Sequence, residues 1–290
     1  MFDQIRFVRD LREEHFDVVF DLRADDRGAF TAWLTGAPYR VAQYYRGLPF
    51  WRNMLFTHLV DPPSPESPSL GAADQSLRII RSFGIEARTS KPRLWVPDEV
   101  LRETVRMLQQ EGIDKEETWV TINPFSRWSY KEWDDGKWAR VVDWLMHDWG
   151  MPSVIVGSPV ERERAAGITE ACRGAHNLAG KTTLLELAAV LSMSRLHIGV
   201  DSAAPHIAAA VGTPTVTIYG PSDWRDWAPV GDGHRVVVPD MICAPCRNKG
   251  CDGSEESRCL EELTVEEVQR VIRDALMDSA LGRISRSELC

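Results

Sequence analysis

Leu196-His197-Ile198-Gly199-Val200-Asp201-Ser202-Ala203-Ala204-Pro205-His206-Ile207-Ala208-Ala209-Ala210-Val211-Gly212-Thr213-Pro214-Thr215-Val216-Thr217-Ile218-Tyr219 is the stretch that decides the fold. It opens on an apolar run from Leu196 to Val200 and closes on a second from Thr215 to Tyr219. Runs this short, rich in β-branched residues and bounded by turn formers, read as buried strands. Between them, Ala204 to Val211 is a run of small residues at helix length, ended by Gly212 and Pro214. Strand, helix and strand in that order make a parallel pair with a crossover. Backbone N–H groups at the helix start form a ready anion site, and small residues there let a phosphate approach closely. Asp201 ends the strand and reads either as a helix N-cap or as a ligand contact. His206 follows one turn into the helix, where it is either a satisfied core histidine or a phosphate-side residue.

The same alternation extends outward. Strands are expected at Trp119–Asn123 and Ser153–Gly157, with helices at Asp135–Trp149, Val160–Cys172, Thr183–Met193 and Thr264–Leu281. Alternating short strands and helices mean a parallel sheet covered on both faces, which binds ligands at the carboxyl ends of its strands. Toward the amino terminus, helical spacing covers residues 2 to 14 and a buried-strand run covers Asp17–Leu22. Asp61–Leu70 holds four prolines and is an exposed loop, with helices expected at Asp74–Phe83 and Pro97–Glu111. Gly112–Thr118 is polar and serves as the linker, so the domains expected are residues 1–115 and 116–290.

Three further strand-end loops carry candidate chemistry. In Asn123–Trp133, Ser126, Arg127 and Lys131 follow the strand within eight residues. Such a cationic pair neutralises a diphosphate leaving group as its glycosidic bond breaks; alternatively it sits on a solvated loop. In Gly157–Glu161, Glu161 either accepts from ribose hydroxyls or favours the helix amino terminus through the macrodipole. Ala179–Leu184 is not a Walker loop, because Ala175 stands where that motif needs its first glycine. It reads as a turn with Thr183 as N-cap and Glu186 completing a capping box, while Thr182 is placed to meet a ligand edge. Among the tryptophans, Trp138, Trp144 and Trp149 read as helix packing, and Trp224 and Trp227 are better placed for a ligand.

Composition limits the function classes. The chain is 290 residues, 43% hydrophobic and 27% charged, as for an ordinary soluble globular protein. Its net charge of −9 argues against nucleic acid as a partner. No apolar run approaches the roughly 18 to 20 residues that span a bilayer, and no signal-peptide pattern opens the chain, so a cytoplasmic enzyme is expected. From Arg27 to Val60 the chain has four arginines (Arg27, Arg40, Arg46 and Arg52), three tyrosines and no acid. These either form a docking surface for an anionic acceptor or pair with acids elsewhere. Cys243, Cys246, Cys251 and Cys259, spaced C-x2-C-x4-C-x7-C, read as a zinc candidate or as a reduced structural loop.

Taken together, these loops resemble the ADP-heptose:lipopolysaccharide heptosyltransferases, glycosyltransferase family 9. The resemblance rests on Asp201 to Ala210 with Gly212-Thr213-Pro214, the Lys131-Glu132-Trp133 loop and Leu178 to Thr182. Trp51 to Val60 with Trp224 to Pro229 looks most like the heptosyltransferase III branch. The resemblance implies an α/β protein of GT-B architecture with two Rossmann-like domains. The first would be the acceptor side and the second the nucleotide-sugar side. It implies inverting transfer of heptose from ADP-heptose to the lipopolysaccharide inner core, with neither metal nor cofactor, and peripheral contact with the inner membrane surface is compatible with it. By matching position, Lys131 would hold the donor phosphates, with Ser126 and Arg127 beside it. Glu161 and Thr182 would line the adenosine side; Asp201, Ser202, Ala203 and His206 would contact diphosphate and sugar. The family's commoner glycine after Asp-Ser is Ala203 here. Family members also open on a strand and a Gly-Asp loop whose aspartate is the expected general base. This sequence begins inside what resembles a later helix, so the first elements of its amino-terminal sheet, and that base, are expected to be absent. A nucleotide-sugar binding protein without turnover is therefore the alternative, and an epimerase ranks below both, since only His206 would serve it as a base.

Overall fold

A computed structural model of the protein describes residues 2–22, 24–47, 49–63, 71–86, 89–114 and 116–287. The chain forms two compact units, Met1–Ser90 and Lys91–Cys290. The division falls upstream of the linker expected at 112–118, of which Lys115 lies outside the described residues. The reason is apolar burial. The expected helix at 97–111 packs Leu108, and Ile113 just beyond it, into a cluster with Trp119, Val154, Leu178 and Val190, which joins it to the second unit.

The first unit contains α1 (Phe2–Glu13), β1 (Val18–Asp21), α2 (Asp26–Leu34), β2 (Tyr39–Gln43), α3 (Phe50–Met54), β3 (His58–Val60) and α4 (Gly71–Ser82). Its strands form a parallel sheet in the order β1-β2-β3, packed on a small core of Ala29, Ala32, Ala42 and Phe56. Residues 64–70 of the proline-rich loop lie outside the described residues.

The second unit contains α5 (Asp98–Gln110), β4 (Val120–Asn123), α6 (Asp135–Trp149), β5 (Ser153–Ile155), α7 (Arg162–Glu170), β6 (Ala175–Asn177) and α8 (Leu184–Met193). It continues with β7 (His197–Val200), α9 (Ala204–Ala210), β8 (Thr215–Ile218), α10 (Trp224–Trp227), β9 (His234–Val237), α11 (Arg258–Glu262) and α12 (Val265–Ser287). The sheet is parallel throughout in the order β6-β5-β4-β7-β8-β9. Counted from β4, that is the 3-2-1-4-5-6 order of the dinucleotide-binding fold, whose ligand crevice opens where the order reverses. Here the reversal lies between β4 and β7.

Local chemistry fixes the elements that flank this point. Asp134 caps α6 by accepting from the Lys137 amide, and Gly150 ends it in the left-handed region at φ 61°. The α6 face buries Trp138, Val141, Val142 and Leu145 against β4, β5 and β7 residues of the core. Trp138 meets Trp133 edge to face, with centroids 5.2 Å apart, and Trp144 and Trp149 pack on the same core. Packing is thus the role of these three tryptophans, as the helical spacing indicated. Among the described residues no helix is long and apolar enough to cross a membrane.

Candidate active site

Asn123, the last residue of β4, pegs three strand ends together. Its Nδ2 donates to Val156 O at 3.2 Å, and its Oδ1 accepts from the Phe125 amide at 3.2 Å and from Ser202 Oγ at 3.4 Å. The chain then turns so that Ser126 Oγ donates to the Asp201 carbonyl at 3.1 Å. A 3-10 turn at Ser129–Lys131 follows, and Trp133 anchors its far end. Trp133 is buried and donates its indole N–H to Leu263 O at 3.2 Å. Held at both ends, the loop delivers Lys131 Nζ to 2.6 Å from Asp201 Oδ2. The sequence places these two residues on separate strand-end loops, and the structure brings them together at the switch point.

The loop is braced from outside by charge. Glu132 Oε1 accepts from the Ser126 amide at 2.7 Å, and its other oxygen pairs with Arg164. Arg164 also forks onto Asp135 at 2.6 and 2.7 Å and lies over the Phe125 ring. The Asp135 hydrogen bond, against the cost of burial and with help from Glu132, holds this guanidinium firmly protonated. His206, in α9, is pushed below the usual histidine range by burial, partly offset by the Asp201 charge. It is therefore a neutral imidazole near pH 7. Ser202 is half-buried and Ala203 exposed, immediately before the helix. α9 starts at Ala204 with Pro205 in its first turn, as the small-residue run indicated.

The second pair of strand-end loops is tied just as closely. The Gly180 amide donates to Gly157 O at 2.8 Å, and Arg162 reaches across to the carbonyls of Ala179 and Gly180 at 3.2 and 3.0 Å. Glu161 Oε2 accepts from the Ser158 amide at 2.5 Å, so this carboxylate serves a capping box at the opening of the Pro159–Glu161 turn. Thr183 caps α8 and Glu186 closes the box, as the sequence spacing indicated. Thr182, half-buried, precedes this cap.

A cavity of about 270 Å³ opens beside Lys131. Asp223, Asp226, Trp227 and Arg247 line it together with Tyr130 and Lys131. Trp227 lines this cavity, whereas Trp224 stacks under Arg225, 4.7 Å from the guanidinium carbon. Arg127 is exposed and lies over the Trp128 ring.

The four arginines between Arg27 and Val60 separate into three groups. Arg27 and Arg46 are exposed. Arg40 spends its guanidinium on its own chain, donating to Leu55 O at 2.8 Å and Ala37 O at 2.6 Å. Arg52 is not on a docking surface: it is fully buried and pairs with Asp21 at 2.5 Å. An arginine with no acid within its own segment thus found one 31 residues away. The zinc reading of the cysteines also gains no support from the geometry. Among the described residues no three histidine, cysteine or acidic side chains are disposed to hold a metal ion. The thiols lie at different depths, Cys259 buried in α11, Cys246 and Cys251 part-buried and Cys243 exposed. Burial, with Cys251, Cys243 and Cys246 nearby, pushes the Cys259 thiol up to about 11.

Sequence reasoning missed Asn123, Glu132 and the Asp223–Arg247 group. Asn123 carried a signal, an amide at a strand end directly before Pro124; the other two depend on partners far along the chain.

Comparison with known proteins gives the family and the fold. The family model Glycosyltransferase family 9 (heptosyltransferase) matches residues 4–255. Lipopolysaccharide heptosyltransferase 3 of Escherichia coli is 31% identical over 233 residues, covering 76% of this chain and 65% of that protein. The chain thus spans about two thirds of the length of this relative. Among solved structures, a glycosyl transferase family 9 protein from Veillonella parvula DSM 2008 superposes with a TM-score of 0.75 at 20% identity, over 94% of this chain and 77% of that one. The E. coli ADP-heptose lps heptosyltransferase II gives a TM-score of 0.71 at 22% identity, over 95% and 81%. At these identities the likeness is one of fold, the α/β GT-B class expected from the sequence.

Proposed function

Because the chain belongs to glycosyltransferase family 9, the heptosyltransferases, we propose that it moves a heptose from ADP-heptose to a hydroxyl of the lipopolysaccharide inner core, with inversion. The observation that carries this reading is the Lys131–Asp201 contact at the strand-order reversal, 2.6 Å between Nζ and Oδ2. A fixed ammonium there stabilises charge that develops on a departing diphosphate, and it is worth most where water is excluded. Asp201 keeps Lys131 extended toward the crevice before donor arrives. Ser126 and His206, which lie against Asp201, Ser202 and Ala203, which follow it in the chain, and Arg127, from the Lys131 loop, are assigned to the diphosphate and sugar, with His206 as a neutral hydrogen-bonding partner. Glu161 and Thr182, on the β5 and β6 side of the crevice, are assigned to the adenosine. Glu161 still has a carboxylate oxygen to offer a ribose hydroxyl beside its cap. Arg27 and Arg46 are the acceptor-side candidates left at the surface. A lipid-linked acceptor places the reaction at the cytoplasmic face of the inner membrane, reached by peripheral contact.

A second reading, a nucleotide-sugar binding protein without turnover, is favoured by one observation. Asp21, a carboxylate at the end of β1, is committed to Arg52 and buried with it, which removes it as a base for the acceptor. Purified protein mixed with ADP-heptose and inner-core acceptor separates the two. The expected result is transfer, read as ADP release with a matching mass gain on the acceptor and lost in Lys131→Ala. Binding of ADP-heptose without transfer supports the second reading, and binding of neither ADP nor ADP-heptose overturns both.

A further inference from the structure

The cavity beside Lys131 has a composition that neither a nucleotide nor a phosphate explains. Its charged lining is two cations, Lys131 and Arg247, against two carboxylates, Asp223 and Asp226. Arg247 Nη2 lies 2.8 Å from Asp223 Oδ2 and 2.8 Å from Asp226 Oδ2, so one guanidinium holds both acids in place. Asp223 is fixed twice over, since it also caps α10 by accepting from the Arg225 amide at 3.1 Å. Arg247 itself is held by its own amide, which donates to Pro221 O at 2.7 Å. Trp227, about half exposed, presents apolar ring surface at the same opening.

A diphosphate would meet two fixed carboxylates here that cancel the two cations, and would gain no net attraction. A neutral polyol needs none. Carboxylates offer about four lone-pair sites each to sugar hydroxyls, and an indole face suits the C–H face of a pyranose. The volume, about 270 Å³, is below the range of about 300–1,000 Å³ typical of sites for larger ligands and suits one monosaccharide. Position adds direction: Lys131 forms one wall, so a group seated here is adjacent to the point assigned to the departing phosphate.

We propose that this cavity seats the transferred glycosyl group of the donor, and that Asp226, positioned by Arg247, together with Trp227 determines which sugar is accepted. The proposal rests on the donor reading above, and its test is built so that the two fail separately.

Calorimetry compares ADP with ADP-heptose on the whole chain, for wild type, Asp226→Asn, Trp227→Ala and Trp227→Phe. Wild type is expected to bind ADP-heptose more tightly than ADP. Asp226→Asn and Trp227→Ala are expected to weaken ADP-heptose about tenfold or more, the scale of a lost hydrogen bond to a charged group, and to leave ADP within twofold. Trp227→Phe, which keeps an aromatic face, is expected to retain most of the affinity. Equal losses for ADP and ADP-heptose overturn the assignment, because the wall would then be holding nucleotide or the local fold. Unchanged binding of both ligands, including the case where only the acceptor KM rises, overturns it too. Wild type that binds ADP but gains nothing from the heptosyl group overturns this assignment alone, whereas wild type that binds neither removes the donor reading itself.

Discussion

Lys131 and Asp201 are 70 residues apart in sequence and 2.6 Å apart in space, and the Asp201 side chain is nearly buried while the Lys131 side chain keeps about a fifth of its surface in water. The pair is therefore asymmetric. Asp201 belongs to the sheet end and is immobile, and Lys131 is the partner with room to respond to a ligand. An arriving phosphate competes for an ammonium that is already extended and oriented, so little side-chain entropy remains to be lost on binding.

That asymmetry sets the first prediction. Lys131→Ala is expected to lower kcat by about 10²–10³-fold, the usual cost of removing one charge-stabilising donor. Asp201→Asn is expected to reduce turnover less while raising KM for the donor, because the ammonium survives but loses its anchor. Steady-state ADP release at varied ADP-heptose concentration measures both. Equal kcat in wild type and Lys131→Ala would remove Lys131 from the chemistry.

The second prediction concerns the first unit. Arg52 is fully buried with Asp21 as its ion-pair partner, and its Nε and Nη1 have no hydrogen-bond partner among the described residues. Removing the carboxylate leaves a buried charge uncompensated, so Asp21→Ala is expected to destabilise by about 3–5 kcal/mol. Replacing both members by apolar residues, Asp21→Leu with Arg52→Met, is expected to cost less than Asp21→Ala alone. Urea unfolding followed by circular dichroism reads both values, and a double replacement costlier than the single one would contradict this account.

A third prediction separates backbone strain from crowding. Gly150 and Gly180 both have positive φ, 61° and 68°. A Cβ at Gly150 meets nothing within 4 Å, whereas one at Gly180 would sit 2.6 Å from Pro159 Cα. Gly150→Ala is expected to cost only the left-handed penalty, about 1–2 kcal/mol. Gly180→Ala must also part the Gly157–Glu161 and Ala179–Thr182 loops, so it is expected to cost more and to weaken ADP binding as well. Calorimetry that finds ADP binding unchanged in Gly180→Ala would detach these two loops from the nucleotide site.

The contrast between β7 and β2 shows where the sequence was legible. His197–Val200 and Thr215–Ile218 are fully buried strands, and the sequence there reads as continuous apolar or β-branched runs. The helix between them announced itself by small residues and a terminal Gly-Thr-Pro. β2, Tyr-Arg-Val-Ala-Gln, carries an arginine whose guanidinium bonds to chain carbonyls, so its polarity hid a strand. β6 and β9 are edge strands of three and four residues with histidines in them, too short and too polar for a periodicity to show. α5 was found, but its allegiance was not, because which unit buries Leu108 is decided by tertiary packing alone. The site followed the same rule. Each strand-end loop was visible as a local string, but Arg52 facing Asp21 and Arg247 bridging Asp223 and Asp226 are pairings between distant segments.

The fourth prediction uses the histidine inside the sheet. His197, the first residue of β7, is fully buried, with Nδ1 3.0 Å from Thr121 Oγ1. Burial depresses its pKa from 6.5 to about 3. A base depressed in the folded state takes up its proton first when unfolded, so stability is intact above pH 6.5 and is lost as pH falls toward 3. The loss is about 1.4 kcal/mol per pH unit below 6.5, or about 2 kcal/mol at pH 5. His206 and His234 are depressed by burial too, and Asp223, Glu186 and Glu267 are held below the carboxylate range, so all of them add acid sensitivity of the same sign. Those contributions are common to wild type and His197→Gln and cancel in the difference between them. Urea unfolding at pH 7.5 and pH 5 is therefore expected to show wild type losing about 2 kcal/mol more than His197→Gln over that interval. Parallel losses in the two proteins would mean that His197 is protonated in the folded state, and that the interior of the sheet at Thr121 is reached by water.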